Sequence, residues 1–510
     1  MEKNIIVIGA GIGGLSVGAF LAGRGYRVTI FEKNPVYGGY CQGFKRKGFL
    51  INPSVLRVGT KECADRIDGY CDQLGMKKQE WLKYSDTYLF GANRRIELGT
   101  ETLEQGLIKC FPEEESRIHK FFFDTERIFQ IANKVIKNNM NYGILSIEEM
   151  KEYLPYFKMS TQEIIEKYFS DNIEIQNVLL AVMDLDSKSS AITMLINIYA
   201  VKNNGSAHIM KGGMWTYIRS LVKYIEEKNG KVVCGSNVTQ IIVEDNKAKG
   251  VVVDGKEYYA DAVVSSMDIK KTYFDLIDNK VIKNQKPLQK MNEEWLISHS
   301  CFSVWLGLEK TREELGIKEE SMVIYPEPKD IRNIREIMNT EDEKLPDEFW
   351  YQLFTAFSDD AISTPEGKGQ IAVGLIVPYS MEANWGKDGE KREVKQRIQD
   401  MVTRKVEELF PQIVGNYVVL DSATPLTYER YTGNCKGAYY GFKKTRSFVC
   451  DKSRPTGKGL LDNLYLCSQW TSSTGGCMGI MQEAIRTANL IMRELPNHEG
   501  ETLAEYDLMI

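Results

Sequence analysis

The stretch NIIVIGAGIGG, residues 4–14, is an apolar strand that runs directly into a G-x-G-x-x-G turn and then into a helix. Gly9 permits the tight turn, Gly11 lets the backbone approach a pyrophosphate, and Gly14 lets the helix pack closely on the strand. The amino end of the helix attracts the phosphate charge. The pattern therefore predicts a dinucleotide site formed by five residues, Gly9, Gly11, Ile12, Gly13 and Gly14.

A second predicted strand, Val28–Phe31, supports this assignment because it completes a βαβ unit. It ends at Glu32, about twenty residues after the turn, where a carboxylate binds a ribose hydroxyl in such sites. The alternative is a glycine-rich turn in an unrelated α/β protein, and the complete unit argues against it.

A second glycine pair, Gly38-Gly39, follows Glu32 and would let another loop approach the ribityl and diphosphate groups if the dinucleotide is a flavin. This arrangement resembles the large FAD-dependent family of amine oxidases, phytoene desaturases, carotenoid isomerases and retinol saturases. The resemblance implies non-covalent FAD, with contacts from Lys33, Gly38, Gly39 and Tyr40. The family usually has a basic residue after the pair, and Tyr40 in its place argues against the amine-oxidase end of the family.

Two further regions carry the resemblance. The segment 210–266 is similar to the family pattern KGGM…A(D)VVS. The resemblance implies that Val238 meets the adenine and that the strand after Asp261 closes the FAD sheet, with Ser265 at its end as a further cofactor contact. Residues 423–442 resemble the pattern TP.T..RYTG…GA.YG. The element after it resembles GQW…GGG.PG and implies contacts to the flavin pyrimidine from Trp470, Gly476, Met478, Gly479 and Ile480. Residues 51–56 and 473–477 depart from the family motifs, which leaves the substrate and the reaction direction open.

The predicted fold class is α/β, with a Rossmann-type FAD-binding domain of the amine-oxidase kind interleaved with a substrate domain and a helical cap. The FAD domain is expected at 1–101, 201–277 and 429–510, the helical cap at 102–200, and a substrate-binding sheet with helices at 278–428. Asp-Asn and Asp-Gly turns after residue 237 predict a small antiparallel insert within the FAD domain.

Aromatic residues recur among charged positions in the helical cap, as in Phe121-Phe122-Phe123 and Phe129. They have two interpretations: an ordinary helical core, or one wall of a lipid-sized tunnel. The sequence leaves both open.

The composition excludes some classes of function. With 65 basic and 70 acidic residues the net charge is −5, which gives no reason to expect a nucleic-acid partner. The ten cysteines stand singly and the four histidines share no close spacing, so we expect reduced thiols in a cytoplasm and no metal centre. No charged leader with an apolar core precedes the first strand and no long apolar run occurs, so neither export nor a spanning helix is expected. Peripheral membrane contact stays open.

The chain has one strand-GxGxxG-helix unit, so we expect an external electron donor or acceptor, with NAD(P)H as one transient donor. The leading hypothesis is hydride transfer at a carbon-carbon bond of an apolar isoprenoid, polyene, steroid or lipid, and the alternatives are a flavin-dependent double-bond isomerase or an amine oxidase. The resemblance places candidates for the catalytic acid or base near the flavin: Tyr440 and Glu483 first, then Tyr428, Tyr431 and Tyr439. Each tyrosine has a competing interpretation as a core residue with a hydrogen-bonded hydroxyl.

Overall fold

The structure is a computed structural model that describes residues 2–137, 142–183, 189–191, 194–195, 198, 207–341, 343–386, 389, 391–449, 451–471 and 476–497. The strands are β1 Asn4–Ile8, β2 Arg27–Phe31, β3 Phe44–Arg46, β4 Phe49–Ile51, β5 Gly59–Thr60, β6 Trp81–Tyr84, β7 Asp86–Phe90, β8 Arg94–Leu98, β9 Ala207–Met210, β10 Lys231–Val233, β11 Val238–Glu244, β12 Lys247–Val253, β13 Lys256–Tyr259, β14 Ala262–Ser265, β15 Ser300–Leu308, β16 Ser321–Tyr325, β17 Tyr351–Phe354, β18 Gly369–Val377, β19 Tyr417–Ala423 and β20 Leu464–Leu466.

The helices are α1 Ile12–Ala22, α2 Lys61–Leu74, α3 Leu103–Cys110, α4 Glu115–Lys137, α5 Ile147–Phe157, α6 Thr161–Phe169, α7 Ile173–Val182, α8 Met214–Glu227, α9 Ile269–Phe274, α10 Lys286–Glu293, α11 Ile331–Asn339, α12 Lys391–Leu409, α13 Pro425–Thr432, α14 Arg446–Val449 and α15 Gly476–Glu494. Within the described ranges every helix is too short or too polar to cross a bilayer.

A five-stranded parallel sheet, in the order β10-β2-β1-β14-β20, carries the G-x-G-x-x-G turn. Strand β1 is apolar along both faces because helices cover the sheet on one side, and strands β11 and β12 with helices α9 and α10 cover the other. Helix α1 is buried along its whole length and packs against α8 and α15. A Cβ at Gly14 would lie 2.0 Å from the carbonyl oxygen of Gly9, so only glycine allows this approach of helix to strand.

The antiparallel insert predicted after residue 237 is confirmed. Strands β11, β12 and β13 pair antiparallel, and their hairpin turns are at Asp245-Asn246 and Asp254-Gly255. All four turn residues have positive φ, as a two-residue hairpin turn requires. Strand β14 then returns the chain to the parallel sheet.

A second, seven-stranded sheet has the order β19-β15-β18-β17-β16-β7-β8. Its pairs are antiparallel except for β16 with β7. Strands β7 and β8 come from residues 86–98, so the predicted boundary of the FAD domain at residue 101 is wrong. Only the long-range pairing with β16 assigns these strands to the substrate sheet, and no local pattern encodes that pairing.

The two faces of this sheet have different neighbours, as the alternation along β15 shows. Phe302 and Val304 belong to the large core that the sheet shares with helices α3–α7. Cys301, Ser303 and Trp305 point to the other face, where the cavity described below lies. The helical region therefore covers the outside of the substrate sheet.

The aromatic residues of the helical region belong to that core. Phe121, Phe122 and Phe129 are at most 3% exposed and pack within it, and none of them lines the cavity. Phe123, in contrast, is 68% exposed. The core interpretation is confirmed for the three buried rings, and the tunnel-wall interpretation of these residues is wrong.

Candidate functional site

A cavity of about 870 Å³ lies between the parallel sheet and the inner face of the seven-stranded sheet. It is lined by twelve of the predicted cofactor contacts: Gly9, Gly11, Ile12, Gly13, Glu32, Lys33, Gly39, Tyr40, Val238, Gly476, Met478 and Ile480. These residues come from four separate parts of the chain. The fold therefore brings together most of what the sequence motifs assigned to one cofactor.

The glycine turn at the amino end of α1 offers the space that a pyrophosphate needs. Gly9 has φ of +94°, which favours glycine, and turns the chain between β1 and α1. A Cβ built on Gly11 would meet no protein atom within 4 Å, because this side of the turn faces the cavity. The opening and the helix amino terminus together fit a dinucleotide phosphate.

Glu32 follows β2 and is held by backbone and side-chain donors. Its Oε2 accepts a hydrogen bond from the amide of Ala10 at 2.9 Å, and its Oε1 accepts two from the amide and side chain of Asn34, both at 2.9 Å. A carboxylate has about four acceptor positions, so the positioned group keeps capacity for ribose hydroxyls. The contacts fix Glu32 at the wall of the cavity.

Lys33 lies beside Glu32 and donates to the carbonyl of Arg430 at 3.2 Å. Burial lowers the pKa of Lys33, and the nearby Lys271, which also lines the cavity, lowers it further. A second cation here makes this end of the cavity favourable for an anionic ligand.

The second glycine pair packs against the first turn. The amide of Gly38 donates to the carbonyl of Ala10 at 2.8 Å, and a Cβ at Gly39 would lie 3.3 Å from the Cα of Gly11. Gly39 lines the cavity, whereas Gly38 supports the loop from behind. The two glycine turns thus form one continuous wall.

Tyr40 does not replace the family's basic residue as a charged contact. The Tyr40 hydroxyl lies within hydrogen-bond distance of two backbone carbonyls, that of Gly437 at 3.0 Å and that of Ala438 at 2.9 Å. Burial raises the pKa of this hydroxyl, so Tyr40 is neutral. Its ring stacks on Tyr428 with the centroids 5.8 Å apart. Tyr40 fastens the second glycine loop to the C-terminal segment.

Two predicted contacts, Ser265 and Trp470, are not among the residues that line the cavity. Ser265 is 1% exposed and exchanges a hydrogen bond with Thr272 at 2.7 Å, while the next residue, Ser266, lines the cavity. Successive residues of an extended chain face opposite sides, so the prediction was displaced by one position. The Trp470 indole is fully buried and donates to Asn434 Oδ1 at 2.8 Å, so these two assignments are corrected.

Glu483 and Gly479 also lie outside the lining, although both belong to helix α15, whose first residues reach the cavity. Glu483 pairs with Arg486 at 3.0 Å. Glu483 lies about two turns after the start of α15 and does not line the cavity, so the geometry does not support a catalytic role for it. Ser473, Thr474 and Gly475 of the departing motif lie outside the described residues.

The tyrosine candidates separate into two groups. Tyr428 is buried and Tyr439 is partly buried, and each donates to a backbone carbonyl at 2.7 Å, Tyr428 to Pro53 and Tyr439 to Ser54. Burial raises the pKa of both hydroxyls well above the ordinary value, so they are neutral clamps on the 53–58 loop. Tyr440 lines the cavity and is 39% exposed, and its catalytic role stays a prediction, as does that of the half-exposed Tyr431.

No sequence motif marks the residues that the seven-stranded sheet contributes to the cavity. These are Cys301, Ser303, Trp305, Gln352, Val373, Gly374 and Ile376. Arg57, from the loop before β5, lines the cavity as well and pairs with Asp86 at 3.3 Å. The alternation along β15 and β18 was the available signal, but which face meets the cofactor domain depends on the tertiary packing.

Comparison with known proteins identifies the family of this chain. The model of the flavin-containing amine oxidoreductase family matches residues 12–492. The chain belongs to this family. It is therefore an FAD-dependent oxidoreductase, and its cavity fits the cofactor through the opening at Gly11 and the positioned carboxylate of Glu32.

The proteins similar to this chain include retinol reductases and carotenoid desaturases. The chain is 26% identical to the all-trans-retinol 13,14-reductase of Danio rerio, over 99% of this chain and 88% of that protein. It is 25% identical to a 4,4'-diapophytoene desaturase of Methylomonas sp, over 96% of both. The crystal structure of an oxidoreductase from Methanosarcina mazei shares the fold with a TM-score of 0.64 and 16% identity, covering 95% of this chain and 99% of that one.

Proposed function

We propose that this flavin-containing amine oxidoreductase relative catalyses hydride transfer at a carbon-carbon bond of an extended, apolar isoprenoid or polyene. The observation that carries the proposal is that one cavity is lined both by the glycine turns and by the inner face of the seven-stranded sheet. The similarity to a retinol reductase and a diapophytoene desaturase supports the same chemistry.

Residues of the sheet would bind the hydrocarbon and exclude water. Trp305 and Ile376 contribute large apolar surfaces, and Gly374 leaves open floor between them: a Cβ there would come no closer than 3.8 Å to Cys301 Sγ. The hydroxyls of Tyr428 and Tyr439 hold the 53–58 loop, which also lines the cavity. FAD, when bound, gives or takes the hydride, and the chain must supply a dry chamber and one proton.

Tyr440 is the proposed holder of that proton, because it lines the cavity and is accessible. Tyr431 also lines the cavity and is exposed, but its backbone carbonyl accepts a hydrogen bond from Asn34 at 2.7 Å, which places it near Glu32 and the proposed ribose contact. Tyr440→Phe is then expected to lower kcat by about a hundredfold or more, the lower range for general acid catalysis, with substrate binding little changed. Tyr259→Phe, on the distant β13 hairpin, is the matched control. A Tyr440→Phe enzyme with the kcat of the control would exclude the hydroxyl.

The electron partner is proposed to be external, with NAD(P)H as one transient donor, because the sequence has a single G-x-G-x-x-G unit. A location in the cytoplasm and peripheral contact with a membrane stay predictions. Titration of the oxidised holoenzyme with NADPH and NADH under anaerobic conditions tests the donor: flavin bleaching supports it, and unchanged absorbance contradicts it.

The substrate class is tested with dithionite-reduced holoenzyme, mixed anaerobically with retinoids, carotenoids, unsaturated steroids, unsaturated fatty acids and short polar enoates. Flavin reoxidation and product mass are followed together. A product that gains two hydrogen atoms as the flavin is reoxidised supports a saturase. A product of equal mass with the flavin still reduced would indicate an isomerase, and reoxidation by short enoates alone would contradict the apolar substrate.

A further inference from the structure

We propose that Arg57 and Gln352 form a subsite for a terminal hydroxyl or carbonyl oxygen, so the substrate is an isoprenoid with one oxygenated end. The inference rests on the proposed function and narrows it, because it separates oxygenated isoprenoids from pure hydrocarbons. It is carried by the change in the cavity lining across the seven-stranded sheet and by an ion pair at the cavity edge.

The lining contributed by β18 is apolar, and that contributed by the next strand, β17, is the polar Gln352. Trp305 and Cys301 lie on β15, and the register then places Ser303 opposite Gly374 on β18 and Gly374 opposite Gln352 on β17. Neighbouring strands are about 4.8 Å apart, so Gln352 stands roughly 10 Å across the sheet from Ser303. A ligand lying over the open floor at Gly374 would reach from the tryptophan to the Gln352 amide.

Arg57 stands beyond Gln352 in the same direction. It pairs with Asp86 at the first position of β7, on the far side of β16, with a nitrogen-oxygen distance of 3.3 Å. Burial opposes the charge of Arg57, but Asp86 together with Tyr88 and Tyr84 raises its pKa above the ordinary value. The guanidinium has five N–H donors, and the contacts to Asp86 and Tyr88 engage only part of them.

An apolar chain end would remove both polar groups from water without offering a hydrogen-bond partner, which is unfavourable. An oxygen at the chain end satisfies them. The charge of this ligand oxygen is also constrained. Asp86 already neutralises the charge of Arg57, and a second carboxylate, that of Glu320, lies near Tyr84. A ligand carboxylate would add an uncompensated negative charge in a partly buried site, so a neutral hydroxyl or carbonyl is the better fit.

The test measures binding to the oxidised holoenzyme, which requires no turnover. The probes are geranylgeraniol, the hydrocarbon that lacks its hydroxyl, and the corresponding carboxylic acid, each followed by perturbation of the flavin spectrum. The wild-type protein is expected to bind the alcohol about tenfold to a hundredfold more tightly than the hydrocarbon, the range for one hydrogen bond to a charged group.

Gln352→Leu keeps the volume and is expected to reduce this preference at least severalfold while the hydrocarbon binds as before or better. Gln289→Leu, the same change at an exposed position of α10 outside the lining, is the matched control and should leave the alcohol-to-hydrocarbon ratio unchanged. Because Arg57→Met alone would leave Asp86 buried without its partner, the second variant is the double change Arg57→Met with Asp86→Asn, checked for folding by thermal unfolding.

Equal binding of alcohol and hydrocarbon by the wild type, or equal weakening of both by Gln352→Leu, would overturn the subsite and leave the proposed function standing. Tighter binding of the acid than of the alcohol would overturn the neutral-oxygen assignment. If no isoprenoid probe binds, while short polar enoates reoxidise the reduced flavin, the proposed function itself fails. The two failures are therefore distinguishable.

Discussion

The substitution Gly11→Val tests whether the pyrophosphate of FAD lies beside the backbone of Gly11. Gly11 has φ of −74° and ψ of 177°, an extended conformation that any residue adopts, and its Cβ would have no protein neighbour within 4 Å. The valine side chain therefore enters the cavity without a steric cost to the fold. We expect the apoprotein to keep its unfolding temperature and to lose affinity for FAD.

The expected magnitude follows from what the side chain displaces. A valine at this position holds the pyrophosphate away from the backbone amides of the turn. Hydrogen bonds to charged groups are worth about 1.5 to 3 kcal/mol, so each one lost weakens binding about tenfold to a hundredfold. Two lost bonds would bring the loss to between about a hundredfold and ten-thousandfold.

The assay is titration of the deflavinated protein with FAD, followed by quenching of flavin fluorescence, beside thermal unfolding without cofactor. Gly14→Ala is the matched control, because its Cβ would lie 2.0 Å from the Gly9 carbonyl oxygen, and it should lose folding rather than affinity alone. A Gly11→Val protein that binds FAD as tightly as the wild type would refute the placement of the pyrophosphate.

Three further changes test the site and its scaffold. Glu32→Ala should weaken FAD binding about tenfold to a hundredfold in the same titration, with kcat of the saturated enzyme nearly unchanged; an unchanged Kd would exclude the ribose contact. Gly374→Val places about three carbons in the cavity and, at about 0.8 kcal/mol for each displaced methylene, should raise the Kd of an isoprenoid roughly fiftyfold without affecting FAD; equal loss of both would indicate misfolding. Burial raises the pKa of Asp451, but hydrogen bonds from Lys290 and Ser453 outweigh it and hold this pKa below its ordinary value of 3.8. The stability from this group is present above pH 3.8 and is lost as pH falls through the lower folded pKa, so urea unfolding of Asp451→Asn should show a smaller loss of stability on acidification than the wild type.

The cofactor half of the cavity was predictable because its signals are local. The turn at residues 9–14, the carboxylate Glu32 and the second glycine pair each depend on a few neighbouring residues whose backbone geometry glycine or strand alternation determines. The insert formed by β11, β12 and β13 was equally local, because the turn residues at 245–246 and 254–255 specify the hairpins.

Side-chain direction was less predictable where a residue stands at the end of an element. Ser265 and Trp470 were assigned to the cofactor from motifs that place the right segment but not the right side chain. At the end of strand β14 a shift of one residue reverses the face, and the hydrogen bond to Thr272 holds Ser265 on the face away from the lining. Trp470 lies in the turn after β20, where the hydrogen bond to Asn434 determines the direction of its indole.

The sequence by itself determined the family, the FAD-binding unit and the class of chemistry, because these depend on short motifs with a fixed backbone requirement. Only the tertiary structure decided that the aromatic helical region covers the outside of the substrate sheet, that β7 and β8 join this sheet, and that Arg57 and Gln352 reach the cavity. The physical reason is that an apolar or polar side chain specifies burial or hydrogen bonding but not its partner. The partner is chosen by strand pairings and packing between segments hundreds of residues apart.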